Sequence, residues 1–299
     1  MPYPSPPAFQ PLQGVRVLSL ALNLPGPAAL MRLRRMGADC LKLEPPAGDP
    51  MRHYSPAAYA QLHEGIGVQM ADLKTPAGQE QLHEALARTD VLLTSFRPAA
   101  FARLGIAWDA LHRRHPALSQ VAIVGYPGDG ADAPGHDLTY LAACGLVPGL
   151  ELPATLYADM GGSLAASEAV LQAAMFGRNA GAGRQGVYLE VALSDAAAYL
   201  ALPRQWGLTQ ADGWVGGAHA AYQVYECSDG RVAVAALEPH FAAALCAAAG
   251  LPAHDPAHQP ATLMDPAARR HIAAYLRTQT RAALERLSVD KDIPLHTMA

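Results

Sequence analysis

The chain has 299 residues, a formal net charge of −4 at pH 7 and an apolar content of 51%, which is ample for a sizeable core. At roughly 150 residues per domain, this length predicts two domains. Its mild acidity, without a basic block, argues against a nucleic-acid-binding protein. No apolar run approaches the ~18 residues of a membrane span. We therefore expect a globular protein that binds neither nucleic acid nor membranes.

The cysteines and the N-terminal segment point to a reducing compartment. Cys40, Cys144, Cys227 and Cys246 are widely scattered and form no C-x-x-C motif, so neither a metal finger nor a redox motif is expected. The proline-rich segment 1–11 lacks the charged and apolar regions of a secretory signal. We expect a cytoplasmic protein without a metal site.

Strands alternate with helices along the first two thirds of the chain. Strand-like apolar runs occur at 15–20, 40–43, 68–71, 91–94, 121–124 and 186–191. Helices are predicted at 28–36, 75–88, 99–104, 108–114 and 161–178, with Asp195 as the cap of another and a turn at 181–186. This alternation predicts an α/β fold with right-handed crossovers and a mostly parallel sheet. No G-x-G-x-x-G motif follows the first strand, so NAD is not expected as a cofactor.

A smaller α+β domain is predicted at the C-terminal end. The expected boundaries are 1–205 for a large Rossmann-like domain, 206–221 for a linker rich in glycine and tryptophan, and 222–299 for the small domain. A Ser-Asp-Gly turn at 228–230 between apolar runs predicts a β-hairpin. Two helices, at about 239–249 and 266–287, complete this domain.

Several sequence blocks carry a family resemblance by their order and spacing. They are PLQGVRVLSL, GADCLKLEPPAGDP, ADLKTPAG, DVLLTSFRP and the Gly-Arg-Gln turn before YLEVALSDA. In these blocks the chain resembles the family III CoA-transferases (CaiB/BaiF), which also include the α-methylacyl-CoA racemases. The resemblance implies the CoA-transferase family III fold, an acyl-CoA substrate without a prosthetic group, and a homodimer whose two chains interlock.

Within that family, three features resemble the racemase branch. They are GHDLTY, GGAHAAYQVYECSDGR and the Leu-Glu-Pro stretch at 237–239. The resemblance implies that His136 and Asp159 are a catalytic acid/base pair and that Glu238 supports them. In the transferases, the position that matches Asp159 is instead the nucleophile, which carries the acyl group as a mixed anhydride.

The residue types suit proton transfer at the carbon next to a thioester. An imidazole titrates near neutral pH and can act as acid or base, and partial burial would raise the pKa of Asp159 toward the same range. The amides of Met160, Gly161 and Gly162, at a predicted helix N-terminus, would stabilise an enolate oxygen. The alternatives are that Asp159 only caps a helix and that His136 is an ordinary loop residue. Asp137 is expected to orient its neighbours.

The expected CoA contacts lie near the ends of predicted strands, where α/β proteins bind ligands. The resemblance places Lys42, Lys74 and Arg97 there, and the two glycines Gly161 and Gly162 would permit close approach of the thioester.

Three departures from the family pattern affect the functional hypotheses. The basic cluster that many relatives carry is replaced by His-Glu-Gly-Ile-Gly at 63–67, and the loop at 145–159 is short. The sequence stops at Ala299, so we expect a C-terminally short member. The first hypothesis is an acyl-CoA racemase or epimerase. The alternatives are a CoA-transferase that uses Asp159 as nucleophile, and an inactive CoA-binding or scaffold homologue.

Overall fold

The computed structural model describes residues 9–179, 185–251 and 262–299. The chain divides into two compact units, Met1–Ala201 and Leu202–Ala299. Most of the turn predicted at 181–186 lies outside the described residues.

Six strands form the sheet of the first unit, and every pairing between neighbours is parallel. The bounds are β1 Arg16–Ser19, β2 Asp39–Glu44, β3 Gly67–Met70, β4 Val91–Thr94, β5 Ser119–Val124 and β6 Tyr188–Ala192. The order across the sheet is β3-β2-β1-β4-β5-β6. From β1 the chain adds β2 and β3 on one side and then β4, β5 and β6 on the other, so the switch point lies between β1 and β4. The predicted α/β fold with a mostly parallel sheet is confirmed.

Helices cover both faces of this sheet. Their bounds are α1 Pro25–Arg35, α2 Met51–Tyr54, α3 Pro56–Leu62, α4 Pro76–Leu86, α5 Pro98–Arg103, α6 Trp108–Arg114, α7 Asp137–Ala143, α8 Tyr157–Asn179 and α9 Leu193–Leu200. Successive strand side chains point to opposite faces. Val17 accordingly packs in one core with residues of α1 and α8, and Leu18 packs in another with residues of α4, α5 and α6.

Two predicted helix starts are wrong. Helix α8 begins at Tyr157, four residues before the predicted start at Gly161. Helix α9 begins at Leu193 with Ala192 as its N-cap residue, so Asp195 lies inside the first turn and does not cap the helix.

The second unit contains an antiparallel sheet and four α-helices among its described residues. The strands are β7 Tyr222–Cys227, β8 Gly230–Ala235 and β9 Leu295–Met298, and the helices are α10 Leu202–Gln205, α11 Pro239–Ala248, α12 Pro266–Arg277 and α13 Arg281–Lys291. The predicted hairpin is confirmed by the antiparallel pairing of β7 with β8. The single helix predicted at 266–287 is two helices, because Thr280 caps α13 and accepts a hydrogen bond from the Ala283 amide.

No helix within the described ranges has both the length and the hydropathy that crossing a bilayer requires.

Candidate active site

A cavity of about 380 Å³ lies in the first unit at the carboxyl ends of β1, β4 and β5. This is the switch point of the sheet, where ligands of open α/β folds bind. Its wall includes residues that follow these strands together with side chains of α7 and α8. Those used below are Asn23, Tyr54, Arg97, Gly125, Gly135, His136, Tyr140 and Asp159.

Asp137 joins the two helices that carry the predicted acid/base pair. Its buried carboxylate accepts hydrogen bonds from the amides of Ala158, at 2.7 Å, and Asp159, at 3.1 Å. Amides in the first turn of a helix have no acceptor within the helix, so this carboxylate satisfies two of them in α8. The bond draws His136, the chain neighbour of Asp137, to the first turn of α8. The expectation that Asp137 orients its neighbours fits this geometry.

The environment of Asp159 raises the pKa of its carboxyl to about 6. Burial is the largest cause, since it disfavours the charged form, and the negative charge of Asp137 adds to it. The nearby His136 lowers the pKa and so opposes part of this shift. A carboxyl with a pKa near 6 can both release and accept a proton close to neutral pH.

His136 is the N-cap residue of α7, and its backbone is fixed by a reciprocal pair of hydrogen bonds. The His136 amide donates to the Thr139 hydroxyl oxygen at 3.0 Å, and that hydroxyl donates to the His136 carbonyl at 2.7 Å. The imidazole is exposed and lines the cavity together with Asp159. The two predicted acid/base residues therefore share one cavity.

Gly161 and Gly162 lie inside α8 and do not open it. The Met160 amide donates to the Leu156 carbonyl at 3.0 Å, and amides further along an α-helix are bonded in the same way. A Cβ on Gly161 would lie 3.1 Å from Leu200, and one on Gly162 would collide with Leu193. The expectation that these amides are free to bind an enolate oxygen is wrong. Close packing of α8 on α9 accounts for both glycines.

Lys42 is fully buried, which differs from the expected contact with CoA. Its ammonium lies 2.5 Å from Asp49 Oδ2, 3.2 Å from Glu44 Oε1 and 2.9 Å from His63 Nε2. Ligand atoms of the last three side chains come within 4.8 Å of one another, a grouping that could hold a metal ion, but the ammonium already lies among them. Because it has no exposed surface, this cation is unsuited to binding phosphate.

The other expected contact residues lie in different places. Arg97 is exposed on the wall of the cavity that contains His136 and Asp159. Lys74 is also exposed and lines a smaller groove of about 150 Å³, of which Phe96 is a shared wall with the cavity. Glu238 belongs to the second unit, where it is the exposed N-cap residue of α11.

Several polar residues of the cavity wall, among them Tyr140, Asn23 and Tyr54, were not predicted from the sequence. The ring of Tyr140 fits against Gly125 and Gly135, since a Cβ on either glycine would lie about 2.5 Å from it. Asn23 and Tyr54 are joined by a hydrogen bond of 3.0 Å. The GHDLTY block contained Tyr140, but nothing in the sequence reveals that the Asn23 loop and α2 meet this block.

Comparison with known proteins assigns the fold and the family. The structure of the hypothetical protein Rv3272 from Mycobacterium tuberculosis superposes with a TM-score of 0.80 at 23% identity, covering 96% of this chain and 84% of that one. Human alpha-methylacyl-CoA racemase is 26% identical over 289 residues, which are 91% of this chain and 73% of that protein. Cinnamoyl-CoA:phenyllactate CoA-transferase of Clostridium sporogenes is 34% identical over 149 residues, 46% of this chain.

That alignment with the Clostridium transferase spans only 36% of the transferase's length. The model of the family described as CoA-transferase family III, in contrast, matches residues 12–299. The chain therefore belongs to CoA-transferase family III, an enzymatic family that acts on CoA thioesters and includes both racemases and CoA-transferases.

Proposed function

We propose that the protein is an acyl-CoA racemase or epimerase that transfers a proton at the carbon α to a CoA thioester. The observation that carries this proposal is the shared cavity of His136 and Asp159, in which the pKa of Asp159 is raised to about 6. The alignment with human alpha-methylacyl-CoA racemase, over 91% of this chain, supports it.

In the proposed reaction, one of the two residues acts as base and the other as acid. The base removes the α-proton, and the electron pair of that C–H bond moves into a carbon–carbon double bond, so that negative charge develops on the thioester oxygen. The acid returns a proton to the opposite face of the α-carbon. No atom is gained or lost, and the chain's own residues hold every proton that moves.

Arg97 and Lys74 are the cations proposed to contact the phosphates of CoA. Both are exposed near the carboxyl ends of strands, and Arg97 lines the cavity itself. We also propose Glu238 as a supporting acid. Substitution of Arg97 by Gln should raise KM for acyl-CoA more than it lowers kcat, since the residue contacts the part of the substrate that does not react.

The test is exchange of the α-proton of a 2-methylacyl-CoA in D₂O, followed by NMR. The wild-type protein should exchange it, and His136→Gln and Asp159→Asn should each lose at least about 100-fold in rate. Glu151→Gln, which alters an exposed acid of the loop before α8, is the matched control. Acyl-CoA binding without exchange would exclude the racemase and favour an inactive CoA-binding homologue.

A CoA-transferase is the second candidate, because Asp159 lines the cavity and a carboxylate can also attack a thioester as a nucleophile. The 34% identity with the Clostridium transferase supports this alternative. In this reaction the Asp159 carboxylate would attack the thioester carbonyl, form an acyl-aspartyl anhydride and release the CoA thiolate. Hydroxylamine trapping followed by mass spectrometry would detect the anhydride. Transfer of CoA between acids by Asp159→Ala would exclude Asp159 as the nucleophile.

A cytoplasmic homodimer of interlocked chains is proposed as the working form. Large apolar side chains are exposed on α8, on α9 and on the loop before α8, such as Leu164, Tyr199 and Leu152. They support an interface between two chains. The four cysteines are all free, which fits a reducing compartment.

A further inference from the structure

The proposed reaction places negative charge on the thioester oxygen, and such an oxygen needs hydrogen-bond donors fixed in advance. The amides expected to serve, at 160–162, are bonded within α8. The loop between β1 and α1 offers another donor, the side chain of Asn23 on the cavity wall.

The backbone of Asn23 is held in an uncommon conformation. Its φ of 65° lies in the left-handed region, which asparagine adopts more readily than most residues. Its amide donates to both carboxylate oxygens of the buried Asp49, at 3.1 and 3.2 Å. Asp49 is fixed in turn by the Lys42 ammonium at 2.5 Å and by the Met51 amide at 2.9 Å. The buried ion pair therefore positions this loop.

The side chain of Asn23 is oriented as well. The Tyr54 hydroxyl donates to Asn23 Oδ1 at 3.0 Å, which turns the Nδ2 amino group away from the phenol. Within the described ranges, that amino group has no hydrogen-bond acceptor. The charge of Asp159 contributes to a raised pKa of the Tyr54 phenol, after burial and Asp49, so the Asn23–Tyr54 pair lies within the field of the proposed base.

We propose that the Asn23 carboxamide donates a hydrogen bond to the thioester oxygen and stabilises the charge that develops there. This inference rests on the proposed function, since it assigns the donor for the same reaction. The donor is neutral, so it stabilises the enolate without neutralising Asp159. Lys42 and Asp49 act as positioning residues, because they hold the Asn23 backbone and do not themselves line the cavity.

Two variants test the donor while preserving the loop. Asn23→Gly keeps the left-handed backbone, which glycine adopts freely, and Asn23→Asp keeps the side-chain shape but removes the N–H groups. Each should lower kcat for α-proton exchange by about 100-fold and raise KM for the acyl-CoA by about tenfold, because the donor also bonds the carbonyl oxygen of the bound substrate. Glu64→Gln, at an exposed acid outside the cavity lining, should exchange as the wild type does.

A binding measurement separates this inference from the proposed function. Isothermal titration should compare an acyl-CoA with an S-alkyl-CoA, which lacks the carbonyl oxygen. Asn23→Gly should weaken the acyl-CoA about tenfold and leave the S-alkyl-CoA unchanged. If the wild type binds without exchanging, the racemase proposal fails and this comparison still decides the role of Asn23. The inference would be overturned if Asn23→Gly had the same kcat as the wild type and bound both ligands as tightly. It would also be overturned if the wild-type protein bound neither the acyl-CoA nor the S-alkyl-CoA.

Discussion

Asp159 links the stability of the protein to its proposed activity. An aspartate pKa of 3.8 in the unfolded chain rises to about 6 in the folded one. Between these pH values the folded protein binds more protons than the unfolded chain, so the free energy of unfolding falls as pH rises. Above pH 6 the ionised carboxylate destabilises the fold, which is a common feature of active sites.

Replacing Asp159 by Asn should therefore raise Tm at pH 8, where the wild-type side chain is charged, and have little effect at pH 4, where it is protonated. Differential scanning calorimetry at the two pH values measures this. Asp129→Asn, at an exposed acid of the same unit, is the control and should change Tm little at either pH. An unchanged or lower Tm for Asp159→Asn at pH 8 would contradict the raised pKa.

Lys42 shows what the sequence could not reveal at the residue scale. The pattern places a lysine near the end of a strand, where an exposed ligand contact is expected. Its carboxylate partners, Glu44 and Asp49, and its contact His63 surround it only once the segment after β2 has folded back. Neither residue type nor spacing distinguishes such a buried cation from a solvated one.

Substitution of Lys42 by Met should cost about 3–5 kcal/mol of stability, because it leaves the buried Asp49 carboxylate without a cation and Glu44 with Arg52 alone. Urea denaturation followed by circular dichroism measures the loss. Lys74→Met makes the same chemical change at an exposed lysine and should alter stability by no more than about 0.5 kcal/mol. Equal stabilities of the two variants would mean that the ion pair contributes little.

At the scale of elements, the strands were predicted better than the helix ends. Apolar runs bounded by turns identify all six strands of the first sheet to within a few residues. The start of α8 was misplaced because a glycine pair reads locally as a helix terminus. Gly162 is instead required by the side chain of Leu193, a contact with another helix that local sequence does not show.

The Asp137 carboxylate connects helices α7 and α8, and substitution can test this connection. Asp137→Ala should cost about 1–2 kcal/mol of stability, since two amides of α8 lose their acceptor. It should also lower the exchange rate, because the same bond aligns His136 with Asp159. Thr75→Ala removes a comparable cap from α4, where Thr75 accepts from Gly78 at 3.1 Å.

Urea melts and exchange rates of the two cap variants provide the comparison. Thr75→Ala should lose as much stability as Asp137→Ala but should keep the wild-type exchange rate. If both variants lost stability equally and neither lost activity, the alignment role of Asp137 would be excluded.

For the whole molecule, composition and the alternation of elements predicted the fold class, and the sequence blocks predicted the family. The small unit was predicted in outline, but β9 was missed since its residues pair with β8 residues that lie 61–67 positions earlier in the chain. Such long-range pairings leave little local signal. The predicted large domain ends at 205, and the compact unit ends at Ala201.

The proposed dimer is a testable property of the whole molecule. Light scattering after size-exclusion chromatography should give about twice the chain mass of 31.4 kDa. Leu164→Glu, at an apolar residue of α8 that is 51% exposed, should lower that mass, because it places a charge in the expected interface. Val289→Glu, at a residue that is 83% exposed on α13, should not. A wild-type mass of one chain would contradict the dimer.

The central claim is that two bases serve one α-carbon, and single-enantiomer exchange tests it most directly. Each enantiomer of a 2-methylacyl-CoA is incubated in D₂O with wild-type protein, His136→Gln or Asp159→Asn, and deuterium uptake and inversion are measured separately. Wild-type protein should deuterate and invert both enantiomers. Each variant should lose inversion and retain slow exchange of only the enantiomer whose own base remains. The two-base account would be contradicted if one variant lost exchange of both enantiomers equally while the other variant still inverted them fully.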